Sequence, residues 1–346
     1  MPAGRVAQNE ALLSRNRRRR PPGRRRACLD WAVPGARPAG RSRDDEERDV
    51  DDIPDGRATG EWPEVAARMQ ATYLRSTWRP FRVADIVDES ATIRSLHLQP
   101  TDGIGLIANR PGQHLPIRVS IAGAREAACR DCALSSAPSD PVYRISVRRG
   151  DPVSDHLHGL QIGDAVEAHG PAGTFVMDTS SRRPAMLIAA GVGIAPMMAM
   201  LRGIVHDGLP TRRFRPTRLV YAARSLAARA FDAEIDLLMA VTGGAVRLTR
   251  VLSDPSSAAP ADFELRGRID REVLADWVPD GECDFFVCGP PAFMRVVHDG
   301  LVDLRVPGDR ILVDSFGPSA SRRRPMAAVG GLEAARAWRV DEQSKA

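Results

Sequence analysis

The run AAGVGIAPMMAML, Ala189 to Leu201, decides how the rest of the chain is read. A continuous apolar strand, PAMLIAAG, leads into it and ends at Gly191-Val192-Gly193; a helix then begins near Pro196. Glycines at such a turn let a backbone approach a pyrophosphate closely. The helix N-terminus adds unpaired N–H groups and the positive end of a dipole. A proline in the first helical turn loses no hydrogen bond, because its N–H would be unpaired anyway. Alone, a Gly-x-Gly turn reads equally well as a tight strand–helix connection with no ligand.

Downstream the same pattern repeats. TRLVYAAR, AVRLTRVL and CDFFVCG read as strands; AFDAEIDLLMAV, REVLADWV and PAFMRVVHDGL read as helices. Alternating strands and helices with short connections predict a doubly wound parallel sheet. Upstream the period is different. WRPFRVADIVDES, ATIRSLHLQP, RPGQHLPIRVSIAG and VYRISVRR alternate apolar and polar positions, and GDAVEAHGPAGTF closes the series with Gly and Pro. Short alternating strands with turn residues between them predict a small antiparallel β-barrel. The expected fold class is therefore two-domain, β followed by α/β. Residues 1–77 are expected to be a largely disordered tail, 78–180 the barrel, 181–318 the α/β domain and 319–346 a C-terminal tail.

The chain has 346 residues and a formal net charge of +5. Much of the excess sits in RNRRRRPPGRRR, Arg15–Arg26, and an acidic run, DDEERDVDD, follows. Those arginines lie among Pro, Gly and Ala without a periodic apolar face, which favours a solvated tail over a nucleic-acid site. No apolar run reaches the roughly 18 residues of a membrane span, and no apolar h-region follows the arginines, so a cytoplasmic protein without membrane contact is expected. The five cysteines are odd in number and lack a framework, which fits a reduced compartment. Cys129-x-x-Cys132 has the spacing of a redox or metal pair, but no second Cys or His pair at matching spacing accompanies it. No metal site is expected.

A second turn, FFVCGPPAFM from Phe285 to Met294, is another apolar strand ending in Gly-Pro before a helix. In an open α/β sheet, ligands sit beyond the carboxyl ends of the strands, so both turns face one crevice. Cys288 would be the last side chain of its strand; the bland reading is a buried small residue.

The order of barrel, GVGIAP and CGPPAFM resembles the ferredoxin–NADP reductase superfamily of FAD-dependent NAD(P)H oxidoreductases, over roughly Trp78 to Gly317. RPGQHL, YRISVRR, VSDHLH, GPAGTF and SFGP are most similar to members fused to a plant-type [2Fe–2S] ferredoxin domain. The resemblance implies that FAD and NADP (or NAD) are the cofactors. The flavin motif of the family is Arg-x-Tyr-Ser. Its counterpart here is Arg130-Asp131-Cys132-Ala133-Leu134-Ser135, with Arg130 kept, Cys132 in place of tyrosine and Ala133 in place of serine. The Cys-x-x-Cys spacing is then a coincidence of frame, and weaker FAD binding and slower turnover are expected unless Tyr143, Cys132 or a flavin shifted in its pocket compensates.

The resemblance further implies that Ser146, Val147 and Arg148 contact ribityl and phosphates, and that the Val153-Ser154 hydroxyl and N–H groups receive the pyrophosphate. Gly191, Val192, Gly193 and Pro196 match the nicotinamide-nucleotide loop; Cys288, Gly289 and Pro290 match the motif near the reactive nicotinamide carbon. Asp314-Ser315-Phe316-Gly317 matches a terminal Glu-x-Phe-Gly element beside the flavin. In YAARSLAAR, Arg224, Ser225 and Arg229 could hold a 2′-phosphate, which favours NADP. His114, His156 and His158 read as packing or flavin-edge residues.

The cysteines of a plant-type cluster, C-x4-C-x2-C with a distant fourth, are absent after Cys288. The expected function is an NAD(P)H-dependent FAD reductase, with Cys288 on the hydride path and a ferredoxin-type or other electron acceptor in trans. The alternative is an impaired or truncated remnant that binds FAD weakly and acts as a non-enzymatic partner protein.

Overall fold

The computed structural model describes residues 76–121, 126–279 and 281–314. The tails expected over residues 1–77 and 319–346 lie almost wholly or wholly outside these residues. The antiparallel part contains β1 (Arg79–Asp88), β2 (Ile93–Pro100), β3 (His114–Val119), β4 (Ala128–Ala133), β5 (Tyr143–Arg148) and β6 (Ala165–Ala168). Their order is β4-β3-β6-β1-β2-β5, and an antiparallel bridge from Leu134 to Ile145 ties the two ends into a barrel. Alternation puts Phe81, Leu96, Leu115, Ile117, Ile145 and Val166 in one core. Helix α1 (Pro152–Gly159) follows β5 and adds Leu157 to that core.

The parallel part contains β7 (Ala185–Ala190), β8 (Thr217–Ala223), β9 (Val246–Leu252), β10 (Leu265–Arg266), β11 (Asp284–Cys288) and β12 (Ile311–Asp314). Helices α2 (Ile194–Gly208), α3 (Asp232–Val241), α4 (Arg271–Ala275) and α5 (Pro291–Asp303) connect them. All neighbours are parallel, in the order β10-β9-β8-β7-β11-β12. Every residue of β7 is buried because both faces are covered. Leu187 and Ala189 pack with Met197 and Met198 of α2, while Met186 and Ile188 pack with Met294 and Val297 of α5. The strand order reverses between β7 and β11, where a doubly wound sheet opens a crevice.

The expected fold class is the one observed, with local differences. Helix α2 begins at Ile194, after a short 3-10 turn over Gly191–Gly193, two residues before Pro196. The helix read in REVLADWV stops at Ala275, because the Trp277 and Val278 N–H groups both turn back to the Leu274 carbonyl. Helix α1 and the short strands β10 and β12 add to the pattern read from periodicity.

The barrel and the parallel sheet meet across a chain of alternating charges. Arg144 of β5 donates to Glu234 of α3 at 2.6 and 3.1 Å. Arg202 of α2 donates to the same carboxylate at 2.7 Å and to Asp140, in the loop before β5, at 2.8 Å. The Arg144 guanidinium also lies over the Phe231 ring at 5.1 Å. Burial raises the pKa of Glu234, but hydrogen bonds and charge from Arg144 and Arg202 outweigh it and hold the carboxyl below its usual range.

Candidate functional site

One wall of the site is built by the ends of β7 and β11. Gly191 has a φ of +54, a conformation that L side chains rarely adopt, and the space where its Cβ would stand is open. Gly193 has a different reason to be glycine. A Cβ there would overlap the Cys288 carbonyl and the Gly289 nitrogen, so the two strand ends touch backbone to backbone. Gly289 in turn lies against Ala190 and Phe293. Cys288 ends β11 and is 2% exposed. Burial pushes its thiol well above its ordinary pKa, and the nearby Asp314 carboxylate adds to the effect. It is a neutral thiol at working pH.

The facing wall is the barrel. Arg130, Asp131, Cys132 and Ala133 of β4 and Ser146, Val147 and Arg148 of β5 border the same cleft as Val192, Gly193, Cys288 and Gly289. The cleft encloses about 400 Å3 including its mouth. Arg130 and Cys288, 158 residues apart in sequence, thus share one cavity. Cys132 is 3% exposed, packed in the barrel core beside its cross-strand partner Leu115. Burial pushes its thiol up to about 12 even though Arg130 pulls it down. Its neighbour Cys129 is exposed on the opposite face, and both thiols are free, as the coincidence of frame implied.

Beside Arg130, the N-terminus of α1 meets β4. Asp151 caps this helix: its Oδ1 accepts the N–H groups of Val153 and Ser154 at 3.1 and 3.0 Å. Its Oδ2 accepts the Ser154 hydroxyl at 2.7 Å and forms an ion pair with the Arg130 guanidinium. Burial raises the Asp151 pKa, yet hydrogen bonds from Ser154 and the charge of Arg130 leave the carboxyl below its ordinary value. Pro152 stands at the first helical position and Ser154 completes a capping box. The sequence reading passed over Asp151 and Asp131. For Asp151 a signal existed, since Asp followed at once by Pro and three residues on by Ser is a helix-start signature.

Other expected site residues lie apart from this cleft. Leu134 is core, and Ser135 is buried, its hydroxyl sharing hydrogen bonds with Ser146 at 2.7 Å and with Arg144 at 2.9 Å. Pro196 is buried in the first turn of α2. Arg224 is exposed and Ser225 half-buried after β8. Arg229, expected to reach a 2′-phosphate, is instead turned inward: it donates to Asp232 at 2.8 Å and to the Asp262 carbonyl. Tyr143 is buried against Phe81, and its hydroxyl donates to the Ile107 carbonyl at 2.5 Å. His158 is a packing residue whose Nε2 lies 2.8 Å from the Val147 carbonyl, and burial lowers its pKa. His114 Nε2 sits 3.8 Å from Asp131 across the β3–β4 pair, and His156 is half-buried on α1. Pro290 follows Gly289 at the start of α5. Ser315, Phe316 and Gly317 lie outside the described residues.

The donors gathered at α1 suit the phosphates of a flavin nucleotide: two backbone N–H groups, a hydroxyl and a guanidinium converge on one anion. A carboxylate of the chain stands in for that anion here. Arg148, exposed at the same cleft, adds a second cation. The site therefore fits a flavin nucleotide in its chemistry.

Comparisons with known proteins bear on the fold and on the cofactors. The oxidoreductase NAD-binding domain family matches residues 187–299. A flavohemoprotein of Deinococcus radiodurans is 38% identical over 251 residues, covering 70% of this chain and 60% of that protein. The chain thus spans about 60% of the length of the first curated relatives it matches. The flavohem-like FAD/NAD-binding domain of nitric oxide dioxygenase from Vibrio cholerae is 32% identical, with a TM-score of 0.61, covering 69% of this chain and 99% of that one. A flavohemoglobin from Malassezia yamatoensis, solved with bound FAD and heme, shares the fold at 19% identity and a TM-score of 0.62, over 73% of this chain and 64% of that one.

Proposed function

The chain belongs to the ferredoxin reductase-like family of FAD- and NAD(P)-binding oxidoreductases, and from that premise we propose that its cleft passes reducing equivalents from NAD(P)H through flavin to a separate one-electron acceptor. The observation that carries this reading is the single cleft bordered by Arg130 and Ser146 of the barrel and by Gly193 and Cys288 of the parallel sheet. When bound, FAD supplies an acceptor that takes two electrons as hydride and gives them up one at a time.

The residues contribute binding, orientation and exclusion of water. Arg130, Arg148 and the start of α1 would hold the flavin phosphates. The backbone of β4 and β5 would flank the ring, with Ala133 leaving out the hydroxyl that relatives place there. The open face of Gly191 gives a dinucleotide backbone-close passage at the end of β7. Cys288, neutral and buried, would pack against the nicotinamide and shape its approach without acting as a nucleophile. Of the two arginines read in YAARSLAAR, Arg224 is the one left for a 2′-phosphate, because Arg229 is engaged by Asp232.

The acceptor we favour is a haem protein, on the strength of 38% identity to a flavohemoprotein; an iron–sulfur partner is the second reading, from the motifs shared with ferredoxin-fused reductases. The similarity to working oxidoreductases speaks against a non-enzymatic remnant. An anaerobic titration of the FAD-loaded protein with NADPH and, separately, NADH tests the core of the proposal. Bleaching of the flavin absorbance by either nucleotide is expected. A protein that stays oxidised with both is not a reductase. Faster bleaching by NADPH would support Arg224 as the phosphate contact.

A further inference from the structure

The anion cradle at the start of α1 is filled by the chain itself. The backbone and hydroxyl donors that a flavin phosphate would use there, and one nitrogen of Arg130, are held by one side chain. Val153 N–H and Ser154 N–H point to Asp151 Oδ1; the Ser154 hydroxyl and Arg130 point to Oδ2. Arg130 is nearly covered, with a side chain only 11% exposed, and its ion pair with Asp151 is how its charge is satisfied. The two N–H groups and the hydroxyl have one hydrogen each and give it to Asp151, and one Arg130 nitrogen pairs with the same carboxylate. A phosphate arriving beside Asp151 would meet like charge at short range in a half-desolvated site.

We propose that Asp151 is an internal competitor for the flavin phosphates, holding the donors at the start of α1 and placing like charge beside Arg130, and that this residue sets the affinity of the chain for phosphorylated over unphosphorylated flavins. The proposal rests on the flavin reading of the cleft and deepens it. It separates the two ends of the cofactor. Cys132, Ala133 and Val147, which would flank the ring, are uncharged, while Asp131 of the same wall carries a carboxylate. The phosphate end carries Arg130 and Arg148 against Asp151. A flavin without phosphates has no need of the cradle and leaves the pair intact. A flavin with phosphates either shares Arg130 with the carboxylate, at the cost of like-charge repulsion, or displaces it. The exposed Arg148 is then the cation first available to an incoming phosphate.

The test is the dissociation constant of riboflavin and of FAD for the apoprotein and for Asp151→Asn, followed by flavin fluorescence. Asparagine keeps an oxygen for the Val153 and Ser154 N–H groups, so the helix cap survives while the charge on Arg130 is released. FAD is expected to bind Asp151→Asn about tenfold more tightly or better, since a charge-assisted bond to Arg130 becomes available, with riboflavin affinity unchanged. Adding Arg130→Gln should abolish the gain. Should Asp151→Asn fail to fold by circular dichroism, Asp151→Ser keeps a capping hydroxyl and makes the same prediction. FAD affinity that is unchanged or weaker in the variants, with riboflavin still bound, overturns the competitor role and leaves the reductase reading standing. No binding of either flavin by any form overturns both.

Discussion

Cys129 and Cys132 lie three residues apart on β4, and a strand sends residues at odd spacing to opposite faces. One thiol therefore meets solvent and the other the barrel core, so they cannot form a pair. Their chemistry diverges for the same reason. Burial pushes Cys132 up to about 12 and Cys288 well above its usual value, so neither carries thiolate at mildly alkaline pH. Alkylation of the native protein followed by peptide mass spectrometry should modify Cys129 and spare Cys132 and Cys288. Labelling of Cys132 without prior unfolding would contradict its placement in the core. Arg229 teaches the same lesson with charge. Its position in YAARSLAAR suggested a phosphate ligand, but Asp232, three residues on, reaches it first. Sequence spacing gives a residue's neighbourhood along the chain; which partner satisfies its charge depends on the turn that follows.

At the scale of elements, the joint between β7 and β11 explains the second glycine of the decisive loop. Gly193 carries no positive φ; it is glycine because the Cys288 carbonyl occupies the place of a Cβ. Gly193→Ala must therefore force the two strand ends apart. A loss of about 1–3 kcal/mol is expected from overpacking against backbone, read as a lower Tm, together with weaker nicotinamide-nucleotide binding by calorimetry. An unchanged Tm would mean that the strand ends are not in contact. Gly191→Ala, with open space around it, should perturb stability through its backbone conformation alone. Much of this element pattern was legible beforehand. The unbroken apolar run of β7 announced a strand covered on both faces, and the alternation of β1 to β3 announced a half-buried antiparallel sheet. Helix α1 was missed because its eight residues are too few for a 3.6-residue period to stand out, and only its capping signal marked it.

At the scale of the whole molecule, the alternating charges Arg144, Glu234, Arg202 and Asp140 hold the barrel against the parallel sheet. The folded pKa of Glu234 is depressed, so its contribution to stability is present above the unfolded carboxyl value, about 4.3, and is lost as pH falls through the folded value. Glu234→Gln should lower stability at neutral pH by about 1–3 kcal/mol, because two guanidinium groups lose a charged acceptor. The deficit relative to the native chain should shrink at acid pH, where the native carboxyl is itself protonated. Denaturant melts across that range check this; a deficit that does not vary with pH would show that the ion pairs carry no net stability. The same change should slow flavin reduction more than it weakens FAD binding, since it loosens the joint rather than either wall of the cleft.

The sequence by itself determined the two-part architecture and the two turns that border the crevice, because hydrophobic period and glycine–proline punctuation are local properties of a chain. The resemblance it carries pointed to Arg130, Ser146, Gly193 and Cys288, and the fold brings these four to the border of one cleft. Only the tertiary structure decided what those groups are doing. Asp151 was adjacent in sequence to the expected phosphate motif, yet its capture of Arg130 depends on β4 and α1 being brought side by side. The link of Arg144 to Glu234 spans 90 residues, and nothing local marks it. Charges find partners through space, so their assignment waits on the fold.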